Sequence, residues 1–191
     1  MPDQQRYQVR LDWGEAGARR IGLDAHAVVV VDELDGHGAA SAAQVAAAVA
    51  QACAESTLAD GGAPEVLCAT SVSAGDAAGR ILRLQNALGD RCIVAIVGAG
   101  SLDDDGFRTT VEDHLAAGAV VDALAELGID FSSPEAAVAC AAWRALQKAS
   151  GHLLTASASA ARLGGGVPDA STQRREHPTR ASILREWSAP A

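Results

Sequence analysis

The residues best suited to chemistry gather in two places along this chain. The first follows the apolar run VVVV, where Asp32, Glu33, Asp35 and His37 come in quick succession. The second is IVAIVGAGSLDDDGFRTTVEDHLAAGAVV, from residue 93 to residue 121. There an apolar run empties into Gly98 and Gly100, an acidic loop holds Asp103, Asp104 and Asp105, and Glu112, Asp113 and His114 follow. Carboxylates at strand ends can bind a hard divalent cation such as magnesium or move a proton. Glycines let a backbone come close to an anion. Each feature also has a plain structural reading. Turn aspartates are common, an aspartate run is usually a hydrated loop, and acids in a first helical turn complement the helix dipole.

Other chemistries are poorly supported. Neither G-x-G pair completes a dinucleotide fingerprint, because Ser41 and Asp103 stand at the third glycine positions. There is no G-x-S-x-G elbow for a serine nucleophile and no H-x-x-x-H pair for zinc. Cys53, Cys68, Cys92 and Cys140 form no C-x-x-C pair and read as reduced thiols of a cytoplasmic protein, three of them in apolar surroundings.

These groups must be positioned by strands alternating with helices. Strands are predicted over residues 7–11, 27–31, 65–69 and 93–97, the valine-rich second one buried on both faces. Helices are predicted over residues 42–54 and 76–88, the latter closed by Gly89. A further helix starts at a Thr109–Glu112 capping box and ends at Gly128. Another starts at Ser133–Pro134 and runs to about Lys148. A last one covers residues 153–163. The result is an α/β fold with a mixed or mostly parallel sheet flanked by alanine-rich helices. Residues 1–191 read as one domain, with two small subdomains as the alternative and a polar tail from residue 167 anchored by Leu184 and Trp187. In such sheets ligands sit beyond the carboxyl ends of the strands, where both acidic groups fall.

The net charge of −9 and the lack of a basic run argue against nucleic acid and anionic membrane surfaces as partners. The alanine-rich run 39–54 is too short and too polar to span a membrane. Arg174, Arg175, Arg180 and Arg185 read as a solvated tail, or as a group that folds back onto an oxyanion.

Several segments together resemble the 2-phosphosulfolactate phosphatase family. VRLDWGEAGARRI is similar to the family's opening strand and W-G-x-x-G turn, and VVVVDELDGHGAAS to its V-V-V-I-D segment. The stretch 93–124 resembles its strand, A-G, variable loop and E-D-x-x-x-A-G-A helix most closely, and SPEAAVACAAWRAL and LLTASASAARL continue the similarity. The resemblance implies magnesium-dependent hydrolysis of a small phosphorylated acid. It implies Asp32, Glu112 and Asp113 as the catalytic acids, with Asp32 and Asp113 on Mg2+, and Gly98, Gly100, His37 and Gly118 near the substrate. The chain departs from the family in three places. Leu34 is followed by Asp35, Gly36, His37 and Gly38 instead of hydroxyl residues, Ala116 replaces a frequent cysteine, and no N-G-T or N-G-S loop stands between Glu55 and Val66. These departures leave a second expectation open: a catalytically eroded member that binds a small anion or a protein. Alanine-rich helices could also support a homodimer.

Overall fold

The computed structural model describes residues 4–22, 24–34, 48, 63–163 and 181–186. The predicted helix over 42–54 (Ala48 apart), Cys53, His37, Trp187 and the arginines at 174, 175 and 180 lie outside these residues.

Four strands run parallel: β1 (Val9–Trp13), β2 (Ala27–Val31), β3 (Glu65–Ala69) and β4 (Val94–Gly98). With the hairpin strands β5 (Ser101–Asp103) and β6 (Gly106–Arg108) and the edge strand β7 (Ser182–Arg185), they complete the described strands. The main sheet has the order β1-β4-β2-β3-β7, with β7 antiparallel to β3. Residues 182–185, expected to be part of a polar tail, are thus an edge strand. Ile183 and Leu184 on it remain about half exposed. Its pairing comes from backbone groups, which any sequence can supply at an open sheet edge.

Every residue of β2 is buried, as a strand covered on both faces must be. Alternation divides its valines between two cores. Val28 and Val30 join Ala18 and Ile21 of α1 (Gly14–Ile21), together with Val66, Ala95 and Val97. Ala27, Val29 and Val31 face the larger core, built with α2 (Ala74–Leu88), α3 (Val111–Glu126) and α4 (Pro134–Leu146). Helix α3 is apolar around most of its circumference and lies buried between α2, α4 and the sheet. Its small residues permit that close approach. A Cβ on Gly118 would run into the backbone carbonyl of Ala139 on α4.

The Ser133 start signal forms as expected, its side chain accepting the Ala136 N–H with Pro134 in the first turn. The helix expected over 153–163 is instead two short ones, α5 (Ser150–Thr155) and α6 (Ala158–Arg162). The Ser157 hydroxyl accepts the Ala160 N–H and so starts α6 separately. Leu154 and Ala160 pack on Leu34, just beyond the end of β2. No helix among the described residues is long and apolar enough to cross a membrane.

Candidate functional site

The register sets the site. Val31 of β2 lies opposite Gly98 of β4, and the Ala99 N–H continues the ladder to the Val31 carbonyl at 2.9 Å. Asp32 and Glu33 therefore leave the sheet beside the 99–100 turn. Helix α3 begins just past the hairpin, and its first turn delivers Glu112 and Asp113 to the same end of the sheet. All four carboxylates are buried: Asp32 is 5% exposed, Glu33 6%, Glu112 1% and Asp113 0%.

Asp113 joins these segments. Its Oδ1 accepts the Glu33 N–H at 2.8 Å. Its Oδ2 accepts the Gly100 N–H at 2.9 Å and the Thr110 hydroxyl at 2.7 Å. The Glu33 carboxylate is turned to the end of β3, where it accepts the Ser71 N–H and the Ser71 hydroxyl, each at 2.6 Å. Burial pushes the Asp113 carboxyl up from its ordinary 3.8 to about 7, and the charge of Asp32 adds to the rise. The three neutral donors pull the other way but do not offset a buried like-charge pair. A carboxyl that titrates there can hold or release a proton at neutral pH.

The expected capping box at Thr109–Glu112 does not form. Thr110 is the N-cap, and its hydroxyl donates to Asp113 instead of accepting a backbone N–H. The acid in the first turn is consumed by contacts across the fold, so the local cap gives way to them.

The structure brings Asp32 and Asp113 together and puts Glu112 in the same buried first turn. It gives the three glycines other work. A Cβ on Gly98 would strike the Trp13 ring, and one on Gly100 would come 2.5 Å from Phe107 Cζ. Gly100 also has φ +67, a conformation that side chains disfavour. The space above both residues is thus filled by rings, and the Gly100 N–H is aimed at Asp113. Gly118 sits at the α3–α4 crossing described above, away from the first turn. These placements set the three glycines against rings and backbone of the protein itself. His37 lies outside the described residues. His114 stacks on Trp13, with ring centroids 5.9 Å apart and planes 12° from parallel, and burial lowers its pKa.

The acidic run is also not a simple hydrated loop. Asp103 closes the β5–β6 hairpin and is held by Arg108 Nε at 2.9 Å, the Ser101 hydroxyl at 2.7 Å and the guanidinium of Arg162, whose Nη2 lies 2.7 Å away. These hydrogen bonds, led by that from Arg162, hold its carboxyl far below the usual range.

Glu33, Ser71 and Thr110 are site residues that sequence reasoning did not weigh as partners. The available signal was position alone: Glu33 follows Asp32 at a strand end, and Thr70–Ser71 follow β3 at the neighbouring one. Among the described residues, no three histidine, cysteine, aspartate or glutamate side chains converge as a metal-binding group. Burial pushes the Cys92 thiol up to about 12. No protein-family model matches the chain, and no curated protein matches it significantly.

Proposed function

We propose that this protein is a magnesium-dependent phosphatase acting on a small phosphorylated acid, in the manner of the 2-phosphosulfolactate phosphatases it resembles. The observation that carries this reading is the buried Asp32–Asp113 pair at the carboxyl ends of β2 and β4, with Asp113 titrating near 7. Mutually repelling carboxylates are a donor set that suits a hard cation. Three of the roughly four acceptor positions of the Asp113 carboxylate are taken by protein donors, which leaves one on Oδ1. That suits magnesium, which is usually held through one or two carboxylates and keeps several waters. Asp32 and Asp113 would hold it, and when bound it would neutralise charge on the phosphate.

The protein's own groups supply the rest. The Glu33 and Gly100 amides and the Thr110 hydroxyl fix the Asp113 carboxylate, so its geometry is set before any ligand arrives. Glu112, 1% exposed one residue before Asp113, completes the acidic set. Ser71 holds Glu33 and thereby the turn that carries Asp32.

The test is phosphate release from a panel of small monoesters, phosphosulfolactate and phospholactate included, with magnesium and with chelator. Chelator-sensitive release that disappears in Asp113→Asn, with circular dichroism unchanged, is the expected result. Undiminished turnover by that variant would remove Asp113 from the reaction. A second reading, a catalytically eroded module that binds a protein partner without turnover, is favoured by the rings over Gly98 and Gly100, which fill the space where a glycine cradle would meet a phosphate. It predicts no release from any ester by a folded sample.

A further inference from the structure

A cleft of about 460 Å³ opens at the carboxyl end of β1, lined by Trp13, Phe107 and the first residues of α1, with Arg19 and Arg20 on the same helix. Its size falls within the range of about 300–1,000 Å³ common to small-molecule sites. The chain has only three tryptophans, two phenylalanines and one tyrosine, and two of these rings line this one cleft.

Both rings are seated by the backbone. Phe107 lies over Gly100, and also over Gly14, where a Cβ would come 2.8 Å from its Cε2 and φ is +59. Trp13 lies over Gly98 and stacks on His114. Phe107 is nevertheless 47% exposed, an uncommon state for a ring packed on two glycines. Its free surface belongs to the cleft.

The charge is equally particular. In a chain of net charge −9, this cleft sets two arginines against one glutamate. Asp12 accepts from Arg20 at 2.8 and 2.9 Å, which fixes that guanidinium. Among the described residues Arg19 meets only the solvated Glu15, in an i,i+4 pair with both side chains more than half exposed. Such a pair is weak and readily exchanged for a better anion. A cationic ligand could stack on the same rings but would meet the arginines.

We propose that this cleft binds a small aromatic anion, with its ring on Trp13 and Phe107 and its acid group on Arg19. The ligand's chemistry is an aryl or heteroaryl ring bearing one carboxylate, sulfonate or phosphate. The site is independent of the phosphatase reading, because it uses none of the buried acids.

The probe is 2-naphthoate, followed by its own fluorescence anisotropy on the full chain. Saturable binding is expected, at least tenfold tighter than for 2-naphthalenemethanol, which lacks the charge, and for cyclohexanecarboxylate, which lacks the ring. Arg19→Ala and Phe107→Leu should each weaken binding about tenfold, with Arg19→Lys recovering part of the loss. The exposed Arg19 site keeps the test open if Phe107→Leu disturbs the hairpin. No saturation at millimolar probe, equal binding of the neutral alcohol, or binding that survives Arg19→Ala would each overturn the proposal. Phosphate release plays no part in the readout, so failure of either idea leaves the other standing.

Discussion

Asp103 and Asp113 lie ten positions apart, one in the hairpin that leads to α3 and the other in the first turn of α3, and the fold treats them in opposite ways. Each accepts three or more hydrogen bonds. Asp103 takes them chiefly from two arginines and is held well below the ordinary carboxylate range. Asp113 takes them from two amides and a hydroxyl, lies beside Asp32, and is raised to about 7. Hydrogen-bond number does not decide the outcome. The sign of the neighbouring charge and access to water do. Asp103 behaves as a structural tie, whereas Asp113 carries a destabilising charge that a cation or a proton relieves.

The strongest way to break this contrast is to remove each carboxylate. Asp113→Ala leaves the Glu33 and Gly100 amides and the Thr110 hydroxyl without their acceptor inside the protein. Buried donors left unsatisfied cost about 1–3 kcal/mol each, and relief of the repulsion with Asp32 returns part of that. A net loss of about 3 kcal/mol is expected. Asp103→Ala frees solvent-accessible arginines and should cost clearly less. Urea denaturation of both variants at pH 7 checks the ranking, and equal losses would end the distinction.

The next effect is in pH. Folded Asp113 keeps its proton up to about pH 7, whereas the unfolded chain releases it near 3.8. Between those values the folded state binds more protons, so this group lowers stability as pH rises. The penalty is absent below 3.8 and complete above about 7. At 1.36 kcal/mol per pH unit it amounts to as much as about 4 kcal/mol. Asp103 has the opposite sign: its stabilisation is present above its unfolded pKa and is lost as pH falls below that value. In chelator, the wild-type urea midpoint should therefore fall from pH 4 to pH 7 relative to that of Asp113→Asn. A parallel course of the two curves would contradict the raised pKa.

A finer test isolates the neighbour. Asp32→Asn removes a negative charge but leaves the burial of Asp113 and its three donors in place. The Asp113 carboxyl, followed by 13C NMR in chelator, should then titrate about one pH unit lower. An unchanged midpoint would leave burial as the whole cause and separate the two carboxylates functionally.

The sequence made one part of this contrast legible and hid the other. The apolar run of β2 and the acids after it place Asp32 at a strand end, and the E-D pair in a first helical turn was visible beside its cap. The donors to Asp113 were not visible, because one lies 80 residues away at Glu33 and another across the hairpin at Gly100. The Thr109–Glu112 spacing suggested a cap one residue early, and the N-cap is Thr110, whose hydroxyl is drawn to Asp113. Gly98 and Gly100 suggested room for a ligand, but the rings that fill that room come from positions 13 and 107. Edge strand β7 had no apolar alternation to announce it. Local signals marked where elements begin and end. Long-range partners decided what the polar groups at those ends do.

The smallest effect concerns the tie itself. Arg162 reaches Asp103 from α6, so one guanidinium links the hairpin to the segment whose Leu154 and Ala160 pack on Leu34. Arg162→Gln removes the first cause of the low Asp103 pKa but leaves Arg108 and Ser101 in place. The Asp103 carboxyl should titrate higher, yet still below an ordinary aspartate. Backbone amides of Ser101 to Arg108 should exchange hydrogen a few-fold faster, because the hairpin loses one of its few anchors. Half a molar sodium chloride should reproduce part of that change in the wild type, since a partly exposed pair is screened. Neither perturbation should move the titration of Asp113, which faces two amides, a hydroxyl and Asp32. A coupled shift of both carboxyls would mean that the hairpin and the first turn of α3 move as one body, and that the two aspartates are not the independent devices their separate partners imply.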